Sequence, residues 1–89
     1  MKSRTTRKFW RLFDDLPSEV QQRARDVYRQ FATNPALTGL HFKRVDQANP
    51  VYSVRIGLHY RALGLLDGGI ITWFWIGTHD DYERVLKGG

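Results

Sequence analysis

The sequence has 89 residues, which we expect to form a single domain over residues 1–89, and its 42% hydrophobic and 26% charged residues are typical of a folded globular chain. The absence of cysteine excludes a disulfide scaffold, a thiolate metal site and a cysteine nucleophile. Fourteen Lys and Arg against 9 Asp and Glu give a net charge of +5, and most of the cations are Arg. Because Arg grips phosphate with a planar fork, this balance favours a nucleic-acid partner.

No part of the sequence has the character of a membrane span or a signal peptide. No apolar run approaches the roughly 18–20 residues that a membrane span requires. The N-terminal stretch is basic and lacks the apolar region of a signal peptide. A cytoplasmic location without membrane contact fits these features.

The first third of the chain predicts two helices. The first has an apolar stripe at helical spacing, formed by Phe9, Leu12, Phe13 and Leu16. Thr5 or Thr6 can cap its start, and Pro17 ends it. A second helix follows, in which Ser18 and Gln21 have capping-box spacing, and an Asn-Pro pair closes it at residues 34–35. The short link between the two helices predicts an antiparallel hairpin.

Beyond Pro50 the hydrophobic period changes to two. Residues 51–56, 59–66 and 70–76 are predicted as strands of an antiparallel meander, separated by turn signals. Before them, residues 40–42 allow a short strand or an extended lead-in. Asp80 can cap a short C-terminal helix over residues 80–87. The sequence therefore predicts an α+β fold, with an N-terminal helical hairpin packed on a small antiparallel β-meander and a short C-terminal helix.

The first hairpin of the meander defines a register. A three-residue loop pairs Ile56 with Tyr60 and Arg55 with Arg61. A two-residue loop would pair Val54 with Arg61 and bury an unpaired guanidinium among apolar side chains. The three-residue loop is therefore preferred.

The same reasoning across the Asp-Gly-Gly turn at 67–69 gives the second register. It pairs Leu66 with Ile70 and Arg61 with Trp75. Because side chains alternate between the two faces of a strand, His79 and Trp73 are then expected on the same face as the arginines. The residues expected on the core face are Ile70, Phe74 and Ile76.

Two arginines opposite each other repel, so folding alone gives no reason for the Arg55–Arg61 pair. A bound anion such as phosphate supplies one. With His79 and aromatic side chains beside them, the arginines suit RNA, since aromatic rings stack on bases and His transfers protons near neutral pH. The alternative that stays open is a set of salt bridges from the arginines to Asp46, Asp80 or Asp81.

The histidines do not indicate a metal site. His41, His59 and His79 lack the short spacing of metal ligands and have no set of carboxylates around them. We therefore expect no bound metal. No phosphate-binding loop, dinucleotide fingerprint or nucleophile elbow is present in the sequence.

Four apolar residues are expected to contact another chain. In the predicted registers they alternate onto the sheet face opposite the helical hairpin, where little of a small chain is left to cover them. The predicted partner surface consists of Leu63, Leu65, Ile71 and Trp73.

The segment VYSVRIGLHYRALGLLDGGIITWFWIGTHDDYERVL resembles the C-terminal half of toxins of the RelE/ParE superfamily of type II toxin–antitoxin systems. The resemblance depends on Arg55, Tyr60-Arg61, the Gly77-Thr78-His79 run and Tyr82. The upstream LPSEVQQRARDVYRQFATNP resembles the second helix of the family. Only residues 1–4 are available for the opening strand of the family, so that strand is predicted to be short or missing.

This resemblance implies a small cytoplasmic toxin that an acidic antitoxin holds inactive. Toxins of the RelE-like branch enter the ribosome and cut mRNA without a metal or other cofactor, by attack of the RNA 2′-hydroxyl on the adjacent phosphate. ParE-type relatives share the fold and inhibit DNA gyrase without catalysis, and a catalytically inactive homologue is a further alternative. The presence of His79 and Tyr82 favours RNA cleavage.

The resemblance also implies roles for single residues. Arg61 would stabilise the charge of the phosphorane, and Arg55 would hold the phosphate. His79 would act as general acid or base, and Tyr82 would orient the 2′-hydroxyl or stack on a base. The expected RNA contacts are Arg55, Trp75, Lys43 and Arg44.

Overall fold

The structure, a computed structural model, describes residues 1–88 as three α-helices and one five-stranded sheet. The helices are α1 (Arg7–Asp14), α2 (Ser18–Thr33) and α3 (His79–Leu86). The strands are β1 (Lys2–Thr5), β2 (Lys43–Arg44), β3 (Val51–Ile56), β4 (Tyr60–Asp67) and β5 (Ile70–Thr78). Within this part of the chain, no helix is both long and apolar enough to cross a membrane.

The strand order in the sheet is β1-β5-β4-β3-β2, with β1 parallel to β5 and the other neighbours antiparallel. A short 3-10 helix, Thr38–Leu40, precedes β2. The predicted α+β fold is confirmed, and two short strands extend the three-stranded meander at its edges. The opening strand, predicted to be short or missing, is present with four residues.

A glutamine side chain links α1 to α2. The predicted cap of α1 is confirmed, since Thr6 Oγ1 accepts a hydrogen bond from the Phe9 N–H at 3.1 Å. The predicted capping box of α2 is wrong, because Ser18 is already helical and no side chain caps this end. Gln21 instead donates from Nε2 to the Phe13 carbonyl at 2.9 Å. The Phe13 carbonyl also accepts from the Leu16 N–H at 3.0 Å, so Gln21 adds a second bond to a carbonyl at the end of α1.

The first hairpin has the predicted register. Ile56 pairs with Tyr60 and Arg55 with Arg61. Gly57 begins the connecting turn with a φ of 66°, a conformation that favours glycine. Val54 and Ile56 are buried on the side of the sheet that the helical hairpin covers.

The predicted register of the second hairpin is wrong by one residue. Gly68 and Gly69 both have positive φ and form a two-residue turn, so Asp67 pairs with Ile70 and Leu66 with Ile71. A shift of one residue exchanges the two faces of a strand. Residues 70–73 of β5 therefore have the opposite orientation to the predicted one.

A bulge at Phe74 then restores the predicted orientation for the rest of β5. Gly64 pairs with Trp73 and Leu63 with Trp75, which leaves Phe74 as an extra residue in β5. Trp73 therefore packs in the core under the helical hairpin, contrary to prediction. Phe74 packs against the cluster on the opposite face, also contrary to prediction. Ile76 is in the core beneath the helices, as predicted.

Apolar side chains cover both faces of the sheet. On the face of the helical hairpin, the largest of the buried side chains are Phe9, Phe13, Phe31, Leu40, Ile56, Ile71, Trp73 and Ile76. On the opposite face α3 covers a smaller cluster, formed by Leu63, Trp75 and Tyr82. The apolar side chains of this second cluster do not cover the end of the sheet that carries Arg55 and Arg61.

Gly64 lies beside the bulge and offers a test of the packing there. A Cβ at this position would lie 2.7 Å from Ile71 Cγ1 and 2.8 Å from Trp73 Cε3, and both side chains are buried. Gly64→Ala should therefore lower the free energy of unfolding by about 1–3 kcal/mol through overpacking. Urea denaturation measures the difference. Gly39→Ala is the matched control, since a Cβ there meets no atom within 4 Å. Equal stabilities of the two variants would contradict the packing described for β4 and β5.

Candidate active site

Two arginines lie side by side at one end of the sheet. Arg55 in β3 pairs with Arg61 in β4, and Arg61 pairs on its other side with Gly77 in β5. Arg55 donates from Nε to the Gly57 carbonyl at 3.1 Å, and Arg61 Nη1 donates to the Tyr60 carbonyl at 2.8 Å. A longer contact of 3.4 Å joins Arg61 Nη1 to the Gly57 carbonyl. Backbone carbonyls therefore position both guanidinium groups at the β3–β4 turn.

Among residues 1–88 neither arginine forms an ion pair. The ion pairs of this part of the chain join Arg29 to Asp26, His79 to Glu83 and Arg84 to Asp81. The predicted alternative of salt bridges from Arg55 and Arg61 to nearby aspartates is therefore not realised. Burial lowers the pKa of Arg61, and the positive charge of Arg55 lowers it further. A bound anion would relieve this repulsion.

Thr78 places His79 at the end of the sheet that carries the arginines. It ends β5 and caps α3, with its Oγ1 accepting from the Asp81 N–H at 3.2 Å, so the predicted capping by Asp80 is wrong. The His79 N–H donates to the His59 carbonyl at 2.7 Å, which ties the start of α3 to the β3–β4 turn. The His79 side chain is 42% exposed, with Nε2 3.6 Å from Glu83 Oε1.

Tyr82 connects the site to the core. Its side chain is buried against Leu63 and Trp75, and its ring centroid lies 5.5 Å from that of His79. It is also close enough to Arg61 to oppose, in part, the lowering of the Arg61 pKa. The four predicted catalytic residues, Arg55, Arg61, His79 and Tyr82, thus lie at the same end of the sheet.

Trp75 lies on the predicted face but in a different place. It pairs with Leu63, and Gly77 takes the predicted position opposite Arg61. A Cβ on Gly77 would lie 2.8 Å from Trp75 Cζ2, so the indole extends over the glycine. Only 7% of Trp75 is exposed. Its role as a base-stacking surface is therefore not supported, because its ring is used in packing.

Residues 18–84 match the family described as the ParE-like toxin domain. The chain belongs to the ParE-like toxin family. The expected membership of the RelE/ParE superfamily is confirmed. No curated protein matches the chain in sequence.

Solved structures share the fold of this ParE-like chain. One is from the RelB–RelE antitoxin–toxin complex of Methanococcus jannaschii, with a TM-score of 0.74, 14% identity, and coverage of 92% of this chain and 96% of that chain. YafQ from E. coli has a TM-score of 0.73 and 7% identity, and the match covers 91% of this chain and 96% of that chain. A chain of the toxin–antitoxin complex RelBE2 from Mycobacterium tuberculosis has a TM-score of 0.70 and 17% identity, and the match covers 88% of this chain and 96% of that chain. Such identities establish a common fold.

The two predicted basic RNA contacts beside the meander differ in orientation. Lys43 pairs with Ser53 and so lies on the sheet face of Arg55, whereas Arg44 pairs with Tyr52 and lies on the other face. Arg44 also donates from Nε to the Asp46 carbonyl at 2.9 Å and thereby supports the loop before β3. Of the two, only Lys43 shares the face of the arginine pair.

His41 is a member of the site that the sequence did not indicate. Its Nε2 lies 3.4 Å from Arg55 Nη1, and its φ of 48° is unusual for a residue other than glycine. The left-handed backbone after the 3-10 helix turns this side chain toward β3. No spacing pattern relates His41 to Arg55, so only the three-dimensional structure shows their contact.

The predicted partner surface is not an exposed patch. Ile71 and Trp73 are buried under the helical hairpin, because of the shifted register, and Leu63 is buried under α3. Only Leu65 is exposed, at 41%. Large exposed aromatic side chains occur instead beside the helices, where Trp10 and Tyr28 border a groove of about 540 Å³ next to β1.

The cap of α3 predicts a measurable contribution to stability. Thr78→Ala should lower the free energy of unfolding by about 0.5–2 kcal/mol, because the Asp81 N–H loses its acceptor. Thr78→Ser is the matched control, since it keeps the hydroxyl. Hydrogen exchange of residues 79–86 should increase in the alanine variant alone. If the serine variant loses as much protection as the alanine variant, the hydroxyl is not the stabilising group.

Proposed function

We propose that this ParE-like protein is a toxin that cleaves mRNA on the ribosome. The observation that carries the proposal is the Arg55–Arg61 pair, which lies at the same end of the sheet as His79 and Tyr82 and has no carboxylate partner within residues 1–88. Folding gains nothing from two adjacent like charges, whereas a phosphodiester would be bound by both. The substrate class that suits the site is therefore single-stranded RNA.

The proposed chemistry is an internal transesterification. The RNA 2′-oxygen forms a bond to phosphorus, the bond from phosphorus to the 5′-oxygen breaks, and the products end in a 2′,3′-cyclic phosphate and a 5′-hydroxyl. One proton leaves the 2′-hydroxyl and one reaches the departing 5′-oxygen. His79 is accessible and serves as the acid or the base, with its Nε2 3.6 Å from Glu83 Oε1.

Arg61 has the features of a transition-state ligand. Its guanidinium is held by backbone carbonyls and is half-buried, so little reorganisation is needed when negative charge develops on the phosphorane. Arg55 donates to the same carbonyl and would hold a phosphate oxygen. The ring of Tyr82 supports His79, and its hydroxyl would orient the 2′-hydroxyl of the RNA.

The proposed partner is an acidic antitoxin. The chain belongs to a toxin family, and solved structures with its fold include antitoxin–toxin complexes. Its net charge of +5 suits an acidic partner. Expression of the toxin with its antitoxin should restore growth, and a small acidic reading frame next to its own is the expected source of that antitoxin.

Substitutions at two positions test the active site. Arg61→Ala should slow ribosome-dependent mRNA cleavage by about 10²–10³, the loss typical of one preorganised donor. His79→Ala should slow it by about 10²–10⁴, the range for a lost proton-transfer group. Cleavage rates and the chemistry of the product ends are measured with purified ribosomes. Arg84→Ala is the matched control, because it removes the same charge from an exposed α3 residue paired with Asp81.

Both inactive variants should still bind the antitoxin, which verifies that they fold. If Arg61→Ala and His79→Ala keep full toxicity and cleavage, the active-site assignment is wrong even though the fold is correct. A product with a linear 3′-phosphate at the earliest times would argue against attack by the 2′-hydroxyl.

Salt dependence distinguishes the ribosome from gyrase as the target. Contacts with RNA phosphates release counterions, so the logarithm of affinity should fall with the logarithm of salt by about 0.7 for each phosphate of a single strand. Binding to gyrase would depend on salt more weakly, through charges at the rim of a protein interface. Titrations of ribosomes and of gyrase at several salt concentrations provide the comparison. Tight, salt-insensitive binding to gyrase without ribosome affinity would replace the RNA proposal by inhibition of gyrase.

A further inference from the structure

Three arginines from separate elements converge on Gly57. Arg55 and Arg61 donate to its carbonyl oxygen. The Arg23 side chain of α2 packs against its Cα, since a Cβ built there would lie 2.7 Å from Arg23 Nη1 and 2.9 Å from Cδ. A side chain at position 57 would displace Arg23, and the positive φ disfavours one as well. Glycine at this turn therefore allows the third arginine to approach the other two.

Arg23 and Arg55 share an open groove between α2 and the β3–β4 turn. The groove has a volume of about 430 Å³, and its lining includes Arg23, Asp26, Gln30, Arg55 and Gly57. Asp26 is the acidic residue of this lining, and its carboxylate pairs with Arg29. No ion pair within residues 1–88 involves Arg23. The groove therefore presents two guanidinium groups that no carboxylate of the described chain neutralises.

The lining also indicates which part of a nucleic acid the groove suits. Besides the arginines it contains amide and aliphatic side chains, and none of the lining residues is aromatic. Bases bind through stacking on rings, whereas phosphates bind to guanidinium groups irrespective of base sequence. The groove thus has the chemistry of a backbone site, and Arg61 is not among its lining residues.

We infer that this groove binds the phosphate next to the scissile one, with Arg23 and Arg55 as its ligands. The identity of the ligand as RNA rests on the proposed function, whereas the place of the subsite rests on the convergence at Gly57. Arg55 lies between the two subsites and would contact both phosphates. Arg23 is then a positioning residue, which fixes the strand so that the scissile phosphate meets Arg61.

The experiment compares ligands with one and two phosphates. The probes are 2′-O-methyl di- and trinucleotides, which bind as RNA but lack the attacking hydroxyl, and NMR titration of the full chain gives the dissociation constants. In the parent the second phosphate should raise affinity about tenfold at low salt, as a charge-assisted contact does. Arg23→Ala should abolish this gain and leave the affinity for the dinucleotide unchanged. Arg23→Lys should keep part of the gain, because charge remains but the planar fork is lost.

Arg11→Ala is the matched control. It removes the same charge from an exposed α1 residue outside the groove and should keep the full gain. Spectra with the dispersion of the parent verify the fold of each variant. If the parent binds both probes and Arg23→Ala keeps the increase in affinity from the second phosphate, the subsite is wrong and the proposed function is unaffected. The subsite is also overturned if the parent binds neither probe, or if the second phosphate adds no affinity. Of these two results, only the failure to bind either probe counts against RNA as the substrate.

Discussion

The site depends on two like charges that the sheet holds in adjacent strands. In most sheets such a pair is unfavourable, and here the Gly57 carbonyl offsets part of the repulsion by accepting from both guanidinium groups. The register that creates the pair is fixed from the other face. A slip of one residue between β3 and β4 would bring Arg55 or Arg61 into the core that Val54 and Ile56 share with the helical hairpin. The apolar core thus enforces a charge arrangement that does not itself favour folding.

The position of His79 and Tyr82 depends on a different feature, the bulge in β5. Without the extra residue at Phe74, Gly77 would turn to the opposite face and Trp75 could not pack with Leu63. The strand would then deliver Thr78 and α3 in another orientation. With the bulge, Gly77 pairs with Arg61, and the chain enters α3 so that His79 and Tyr82 lie together at the end of the sheet that carries the arginines. The arginine pair thus depends on a turn, and the position of His79 and Tyr82 depends on a bulge.

This division explains what could be predicted from the sequence. The first hairpin was predictable because one alternative register buried a guanidinium, which made the energies of the two choices very different. The Asp-Gly-Gly turn gave no such contrast, since two-residue and three-residue loops were both compatible with its residues. The bulge has no signal of its own in the sequence, and it is the reason that Trp75 and Ile76 were placed on the correct faces despite the wrong register.

The tertiary contacts of the site were beyond sequence patterns. Arg23 has the helical position of an exposed cation, and nothing in its neighbourhood along the chain points to Gly57. His41 reaches Arg55 through a left-handed backbone that histidine rarely adopts. The expected partner surface failed for a related reason. Faces inferred by alternation are only as good as the register, and a helix of eight residues was enough to cover Leu63.

The burial of Tyr82 has a consequence for how mutational data on this fold are interpreted. Its ring is the buried side chain of α3 that packs on the sheet against Leu63 and Trp75, and the same helix carries His79. Truncating the ring would loosen the helix and displace the histidine, so the inactivity of such a variant would carry no information about the phenolic hydroxyl. Removing the hydroxyl while keeping the ring separates the two contributions. In a domain of this size, one aromatic side chain can thus support the fold and also border the candidate site, and a loss of activity on its deletion does not separate the two roles.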